Sequence, residues 1–365
     1  MKNSEALMEL PVTKTALGTM KALVYHGPGR RAWEDKPRPR LEKATDAVVR
    51  ITTTTICGTD LHILKGDVPA VTDGRILGHE GVGVVEEVGS GLSRVRKGDK
   101  VLISCITSCG MCPFCRKGMY SHCDDGGWIL GHLIDGTQAE YVRVPHADTS
   151  VYVLPAEADE DAVVMLSDIF PTGYECGVIN GQVKPGDTVA IVGAGPIGLA
   201  TLLTAQFYSP SEIVMIDPDE NRLQVAKSLG ATHTVSAVGE EAVRAVQALT
   251  GGAGVDVAIE AVGVPETFDV CQAIVAPGGR IANVGVHGKP VELHLERLWS
   301  QNITLTTRLV DTVTTPLLLK MALNGRLQPL KLVTHRFPME QAMKAYDTFS
   351  NAGRERALKV ILKNA

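Results

Sequence analysis

The sequence predicts an α/β chain in two parts, one all-β and one built on a parallel sheet, and three observations carry that prediction. Up to about Val153, short strand-like runs such as AVVRITTTTI, GVGVVEEVG and AEYVRV are separated by Gly, Pro and Asp turns. From about Phe170, the apolar runs TVAIVG, EIVMID, VDVAIEAVG and GRIANVGV alternate with helix-like PIGLATLLTAQF and ENRLQVAKSLG. That alternation is the pattern of βαβ units, with a parallel sheet covered on both faces. After about Val310 the tail (PLLLKMALNGRL, MEQAMKAYDTF, ALKVIL) predicts helix, helix, strand. A return of this tail to the first part would leave a cleft between the two, where ligands bind by preference.

The 365 residues suit two domains, and 44% apolar with 21% charged residues allows a sizeable core. A formal net charge of −5 argues against broad adhesion to nucleic acid or an anionic membrane. No apolar run approaches the length of a spanning helix. Residues 1–19 carry Glu5 and Glu9 and lack a long apolar centre, so neither a secretory signal nor a transit peptide fits. MKALVYHGPG, from Met20, is the expected first strand, and 1–19 is an extension of unassigned purpose. With no export signal and the cysteines grouped, a reducing cytoplasm is expected.

GAGPIG, Gly193 to Gly198, fits G-x-G-x-x-G, a weak signal alone in a chain with 37 glycines. Here it follows the strand TVAIV and opens a helix. Gly193 permits the tight turn, Gly195 lets the backbone approach a pyrophosphate, and Gly198 allows close helix–strand packing. The helix opening at Pro196 and Ile197 offers free N–H groups and a positive dipole end to the phosphates. Asp217 ends the next strand, where an acid accepts hydrogen bonds from both adenosine ribose hydroxyls and repels a 2′-phosphate. NAD is therefore expected over NADP. Asp217 could instead cap the following helix, although Asp219 is better placed for that, and Arg222 is a group that a 2′-phosphate could meet.

Cys109-x2-Cys112-x2-Cys115-x7-Cys123 is the strongest pattern in the chain. Four thiolates at this spacing suit a closed tetrahedral zinc site that holds a loop with little core of its own. An open catalytic site needs three ligands and a vacancy. Cys57, His79 and Asp168 are candidates, although singly each has an ordinary use, as a buried cysteine, a turn histidine and a helix cap.

Cys57-Gly-Thr59-Asp60-x-His62, then Gly78-His79-Glu80-x2-Gly83 with Val85, Val88 and Gly89, then the four-cysteine loop, then G-x-G-x-x-G, resemble the zinc-containing medium-chain alcohol dehydrogenase family. The resemblance runs in order from Met20 to the C-terminus. It implies a GroES-like β-barrel catalytic domain, 20–169 plus 311–365, holding two zinc ions, with an inserted Rossmann domain, 170–310. By the same resemblance Cys57, His79 and Asp168 are catalytic zinc ligands, and Glu80 is an acid able to move in to the metal. Asp60 accepts the far imidazole N–H of His79, Thr59 bonds the alcohol oxygen, and His62 relays its proton outward by way of the nicotinamide ribose. Thr172, Val262, Val284 and Val286 surround the nicotinamide. The implied reaction is hydride transfer between an alcohol carbon and NAD, with zinc as the Lewis acid.

Most members of the family have a cysteine where this chain has Asp168. Asp168, Trp128 with Asp135-Gly136 in register, and Cys105-Ile106-Thr107 resemble the secondary-alcohol, ketone-reducing branch, so small or medium secondary alcohols are expected. A formaldehyde-oxidising branch shares the aspartate. The best-known microbial members of the secondary branch lack the four-cysteine loop and carry Gly-Ser-Arg, for NADP, in place of Ile216-Asp217-Pro218. The rivals are a polyol or threonine dehydrogenase, a zinc-free quinone reductase, and a zinc-stapled interaction protein with one zinc and no NADH turnover. NITLTTRLV resembles the family's dimer-forming strand, which implies a homo-oligomer, dimer or tetramer.

Overall fold

The computed structural model describes residues 18–364, so residues 1–17 of the expected extension lie outside the described residues. Six parallel strands form one sheet, in the order His233–Val235, Glu212–Ile216, Thr188–Val192, Val255–Glu260, Val275–Asn283, Thr304–Thr307. Its central strand, Thr188–Val192, is apolar from Val189 onward because both faces are covered. Val189 and Ile191 enter one core cluster with Ile213, Met215, Val257 and Ile259. Their neighbours Ala190 and Val192 enter a second cluster with Val214, Ile216 and Ala258. Successive side chains point to opposite faces, so one apolar run feeds two cores. The chain leaves Thr188–Val192 in one direction and later returns to its other side, and the crevice at that reversal is where such sheets bind ligands.

The second sheet is mostly antiparallel and centres on Ala47–Ile56, which pairs with Gly81–Val88 along one side. Its other side is shared by Tyr141–Val144, opposite Ala47–Arg50, and by Lys359–Lys363, opposite Thr53–Ile56. The C-terminal strand thus completes a sheet begun 300 residues earlier. A three-stranded sheet of Arg31–Pro37, Thr19–Tyr25 and Arg75–Ile76 stands beside it. This is the α/β class expected, a GroES-like β domain and a Rossmann-like parallel sheet.

Two elements differ from the expectation. The first part is not all-β, because Gly58–Lys65 is a helix. It is too short to show an apolar stripe and is specified by its ends. The tail contains a further strand, Val333–Pro338, parallel to Lys359–Lys363. Its residues are nowhere fully buried, so it lacks the apolar run that marks an interior strand.

Candidate active site

Cys57 ends Ala47–Ile56 in an extended conformation and starts the Gly58–Lys65 helix. Its own N–H donates to Asp60 Oδ2 at 3.0 Å, which fixes the first turn. Thr59 and His62 then fall three residues apart on one helix face, and Thr59 Oγ1 lies 3.7 Å from Cys57 Sγ. His79 and Glu80 immediately precede the Gly81–Val88 strand. Asp168 stands at the entrance to the helical segment that runs from Ile169 to Ile179, whose later part, Gly173–Ile179, is wound as a π-helix. Its side chain does not cap that helix.

The Asp168 carboxylate turns inward instead. Its Oδ2 lies 3.2 Å from His79 Nε2 and 3.5 Å from Cys57 Sγ, and its Oδ1 accepts from the Thr172 hydroxyl at 2.6 Å. The three donor atoms lie within 4.8 Å of one another, and all three residues are buried. With zinc–ligand bonds of ordinary length, a tetrahedral site would have N···O and S···O edges of about 3.4 and 3.6 Å. The observed separations fit that figure, and one thiolate, one imidazole and one carboxylate leave a fourth position for a ligand.

Burial, and then the Asp168 charge, push the Cys57 thiol up. Burial would also raise Asp168, but the bond and charge of His79 outweigh it and hold the carboxyl below its usual range. Burial pushes Glu80 up to about 7 against the pull of Lys359. Three groups able to carry negative charge, Cys57, Asp168 and Glu80, crowd this pocket, and a divalent cation beside them would favour their ionised forms.

The expected Asp60–His79 hydrogen bond is not formed. His79 Nδ1 and Asp60 Oδ1 are 4.0 Å apart, and Asp60 Oδ1 has no hydrogen-bond partner among the described residues. The other oxygen, Oδ2, is held by Cys57 N and by Gln138 Nε2 at 3.0 Å, and Gln138 is held in turn by the Tyr346 hydroxyl at 2.8 Å. Sequence reasoning missed Gln138, Tyr346 and Lys359. Lys359 is 1% exposed and bonds Glu80 and the Ile56 carbonyl, while the Thr55 hydroxyl also bonds Glu80.

Trp128 is half-buried, its ring edge-on to His79 with centroids 6.4 Å apart, and its other face stacks on His132 at 4.3 Å. Trp128 also packs with Cys105, Ile106 and Val284 in a small cluster that includes Val310. Cys105 Sγ is 3.7 Å from Asp168 Oδ1. Cys105 and Trp128 thus lie beside the three-donor centre, and Ile106 shares the apolar cluster of Cys105.

At the nucleotide site Gly193 has φ +106°, and a Cβ on Gly198 would sit 1.8 Å from the Gly193 carbonyl, so both positions require glycine. Gly195 precedes the Pro196–Ala205 helix, and a Cβ there would meet nothing nearer than Arg222 Nη1 at 3.9 Å, leaving the backbone open to a ligand. Asp217 accepts from Ala194 N at 2.7 Å and from Asp219 N at 2.8 Å, while Asp219 caps the Glu220–Ser228 helix. Arg222 lies 3.9 Å from Asp217 and 3.8 Å from Asp219. Val262 and Val286 are exposed just beyond the carboxyl ends of Val255–Glu260 and Val275–Asn283, and Val284 packs against the pocket cluster.

The four sulfurs of Cys109, Cys112, Cys115 and Cys123 also lie within 4.8 Å of one another. Cys109 and Cys115 are 4.0 Å apart, far beyond a disulfide and close to the roughly 3.8 Å edge of a zinc tetrathiolate. Backbone amides of Cys109, Met111, Cys112 and Cys115 point at these sulfurs. Burial pushes Cys115 up to about 12, while amides of Cys115 and Asp124 bring Cys112 down to about 6.

Residues 43–156 match the alcohol dehydrogenase GroES-like domain, and residues 196–322 match the zinc-binding dehydrogenase domain. An alcohol dehydrogenase of Cupriavidus necator is 35% identical over 94% of this chain and 98% of its own length. The chain belongs to the zinc-type alcohol dehydrogenase family. Among solved structures, zinc-dependent alcohol dehydrogenase 2 from Streptococcus pneumonia, in its apo form, is 55% identical with a TM-score of 0.90, over 94% of this chain and 98% of that one. Alcohol dehydrogenase TADH from Thermus sp. ATN1 is 37% identical with a TM-score of 0.86, over 95% and 100% of the two chains. As a zinc-type alcohol dehydrogenase the chain is an oxidoreductase of small-molecule alcohols. No single helix among the described residues is long and apolar enough to cross a membrane.

Proposed function

We propose that this chain interconverts small secondary alcohols and ketones with NAD(H), through a zinc held by Cys57, His79 and Asp168. The observation that carries this reading is the convergence of those three buried donors beside Trp128, Cys105 and Ile106. A bound zinc would act as a Lewis acid toward an alcohol or carbonyl oxygen at the fourth position. Glu80, held by Lys359 and Thr55 with the lysine offsetting its charge, is the acid able to move in to the metal. Thr59 and His62, half-buried on one side of the Gly58–Lys65 helix, carry the alcohol proton outward. Thr172 holds Asp168 in place, and Val262, Val284 and Val286 form the apolar mouth over which the nicotinamide lies. Asp217, fixed by two amides beside the glycine turn, favours NAD over NADP. A second zinc in the four-cysteine site holds the 109–123 lobe.

The same reading divides the chain into 20–169 with 311–365, and 170–310. It also pairs two copies through the Thr304–Thr307 edge, which has a strand neighbour on one side only, with Leu305, Leu309 and Trp299 exposed nearby. Thiolate sites and eight free cysteines favour a reducing compartment such as the cytoplasm.

The test is zinc content per chain, followed by NAD and NADP reduction with 2-propanol, 2-butanol, ethanol, formaldehyde and sorbitol. Two zincs and fastest turnover of 2-propanol or 2-butanol with NAD are expected. One zinc and no turnover would overturn the enzyme reading. A preference for ethanol, formaldehyde or sorbitol would overturn only the substrate class.

A further inference from the structure

The Gly58–Lys65 helix ends in a way that brings one more side chain to His62. Gly66 has φ +88°, its N–H donates to the Ile63 carbonyl at 3.0 Å, and the next amide, Asp67 N, donates to the His62 carbonyl at 3.0 Å. This paired closure of the last turn needs a left-handed residue at position 66, which glycine supplies. Its result is to fold Asp67 back over the end of the helix. There the Asp67 carboxylate meets the His62 ring, with Oδ2 2.9 Å from Nδ1. The side chains are 31% and 40% exposed, so the pair stands at the rim between the buried donors and water. From the inside outward, one short segment thus presents Cys57, Thr59, His62 and Asp67.

We propose that Asp67 is a positioning residue of the proton path, holding His62 in the tautomer and orientation that let it accept a proton. This rests on the reading of His62 as the relay. A carboxylate at 2.9 Å is an acceptor only, so Nδ1 carries the neutral ring's hydrogen and Nε2 keeps a free lone pair. In alcohol oxidation the proton that leaves the alcohol oxygen on the Thr59 side is finally received at Nε2. The ring is then an imidazolium, paired with the Asp67 carboxylate. It returns to neutral when the same proton passes from Nε2 to water. Along this proton path only O–H and N–H bonds are made and broken, while the hydride leaves the alcohol carbon for NAD.

Reduction of NAD by 2-propanol in single turnover tests this, with absorbance following NADH and an indicator dye following proton release. Three variants are compared with the parent chain: Asp67→Asn, Asp67→Glu and His62→Ala. Asparagine keeps the size and the backbone amide, but its NH2 group can face Nδ1 and move the ring hydrogen to Nε2. Asp67→Asn is expected to slow NADH formation and proton release together by about fivefold, the scale of one partly exposed charge pair. It should also change the solvent isotope effect and leave KM for NAD unchanged. Asp67→Glu should recover most of the rate. A parental rate and isotope effect in Asp67→Asn, with His62→Ala impaired in both, would overturn the role of Asp67 and leave the relay standing. A parental rate in His62→Ala would overturn the relay reading and this proposal with it. A loss in Asp67→Asn confined to thermal stability would make the carboxylate a structural cap, and would also overturn it.

Discussion

Glu80 and Asp217 are both buried carboxylates, and different partners give them different work. At Glu80 one oxygen meets Lys359 and Thr55, while the other has no hydrogen-bond partner among the described residues. Removing the lysine leaves an uncompensated buried charge. Lys359→Met is therefore expected to lower stability by about 3–5 kcal/mol in urea unfolding, and adding Glu80→Gln should restore most of it. If the second change restores nothing, Lys359 stabilises by packing alone. Asp217 has amide partners on both oxygens, so its orientation beside the glycine turn is fixed before any nucleotide arrives. Asp217→Gly should reduce the NAD-over-NADP ratio of kcat/KM by about tenfold or more, the scale of a hydrogen bond to a charged group. An unchanged ratio would mean that the side chain serves only the turn.

Among the elements, the Ile169–Ile179 helical segment does two jobs at once. Its entrance presents Asp168 and its first turn presents Thr172. Farther along, buried Glu175 accepts from the amides of Asp311, Thr312 and Thr314, which pins the segment where the chain leaves the parallel sheet. Freeing those three amides in Glu175→Ala should cost about 3 kcal/mol or more, seen as a lower thermal midpoint. A midpoint equal to the parent's would show that water replaces the carboxylate without loss. The 109–123 lobe is tied to the same stretch, because Ser121 donates to Asp311 through both its amide and its hydroxyl. Met111 and Phe114 are exposed and the lobe has little core of its own. Cys112→Ser should reduce zinc to one per chain and open the lobe to trypsin at Arg116 or Lys117, with the parallel-sheet domain intact. Continued resistance to trypsin would show that Asp311 alone holds the lobe.

For the whole molecule, stability should depend on pH through His26, which joins two chain segments by bonding Asp73 at 2.8 Å and Glu34 at 3.1 Å. The Asp73 bond, then that of Glu34, raises its pKa above the ordinary value of 6.5. A raised folded-state pKa gives a contribution that is complete below about pH 6.5 and is lost as the pH rises through the folded value. The pair is exposed, so the effect is small and weakened by salt. His26→Gln should flatten the fall of thermal midpoint between about pH 6 and 8 at low ionic strength. Parallel curves for the two proteins would show that His26 contributes nothing there.

What the sequence by itself determined was whatever lies close together along the chain. The glycine turn with Asp217, the four-cysteine lobe, and the apolar strands of the parallel sheet are all local patterns, because their chemistry needs neighbours within a few residues or one βα unit. Cys57, His79 and Asp168 were nameable through their flanking motifs, but nothing local placed their donor atoms around one point. Lys359 and Tyr346 were not legible at all, since each reaches its partner through the C-terminal return to a sheet begun at Ala47. The Gly58–Lys65 helix was hidden for the opposite reason, being short and specified by its two ends. Only the tertiary structure decided that Asp168 turns inward and does not cap its helix, and that Asp60 stands off from His79. Both follow from competition among buried polar groups, which is settled by distance in space and not by spacing in sequence.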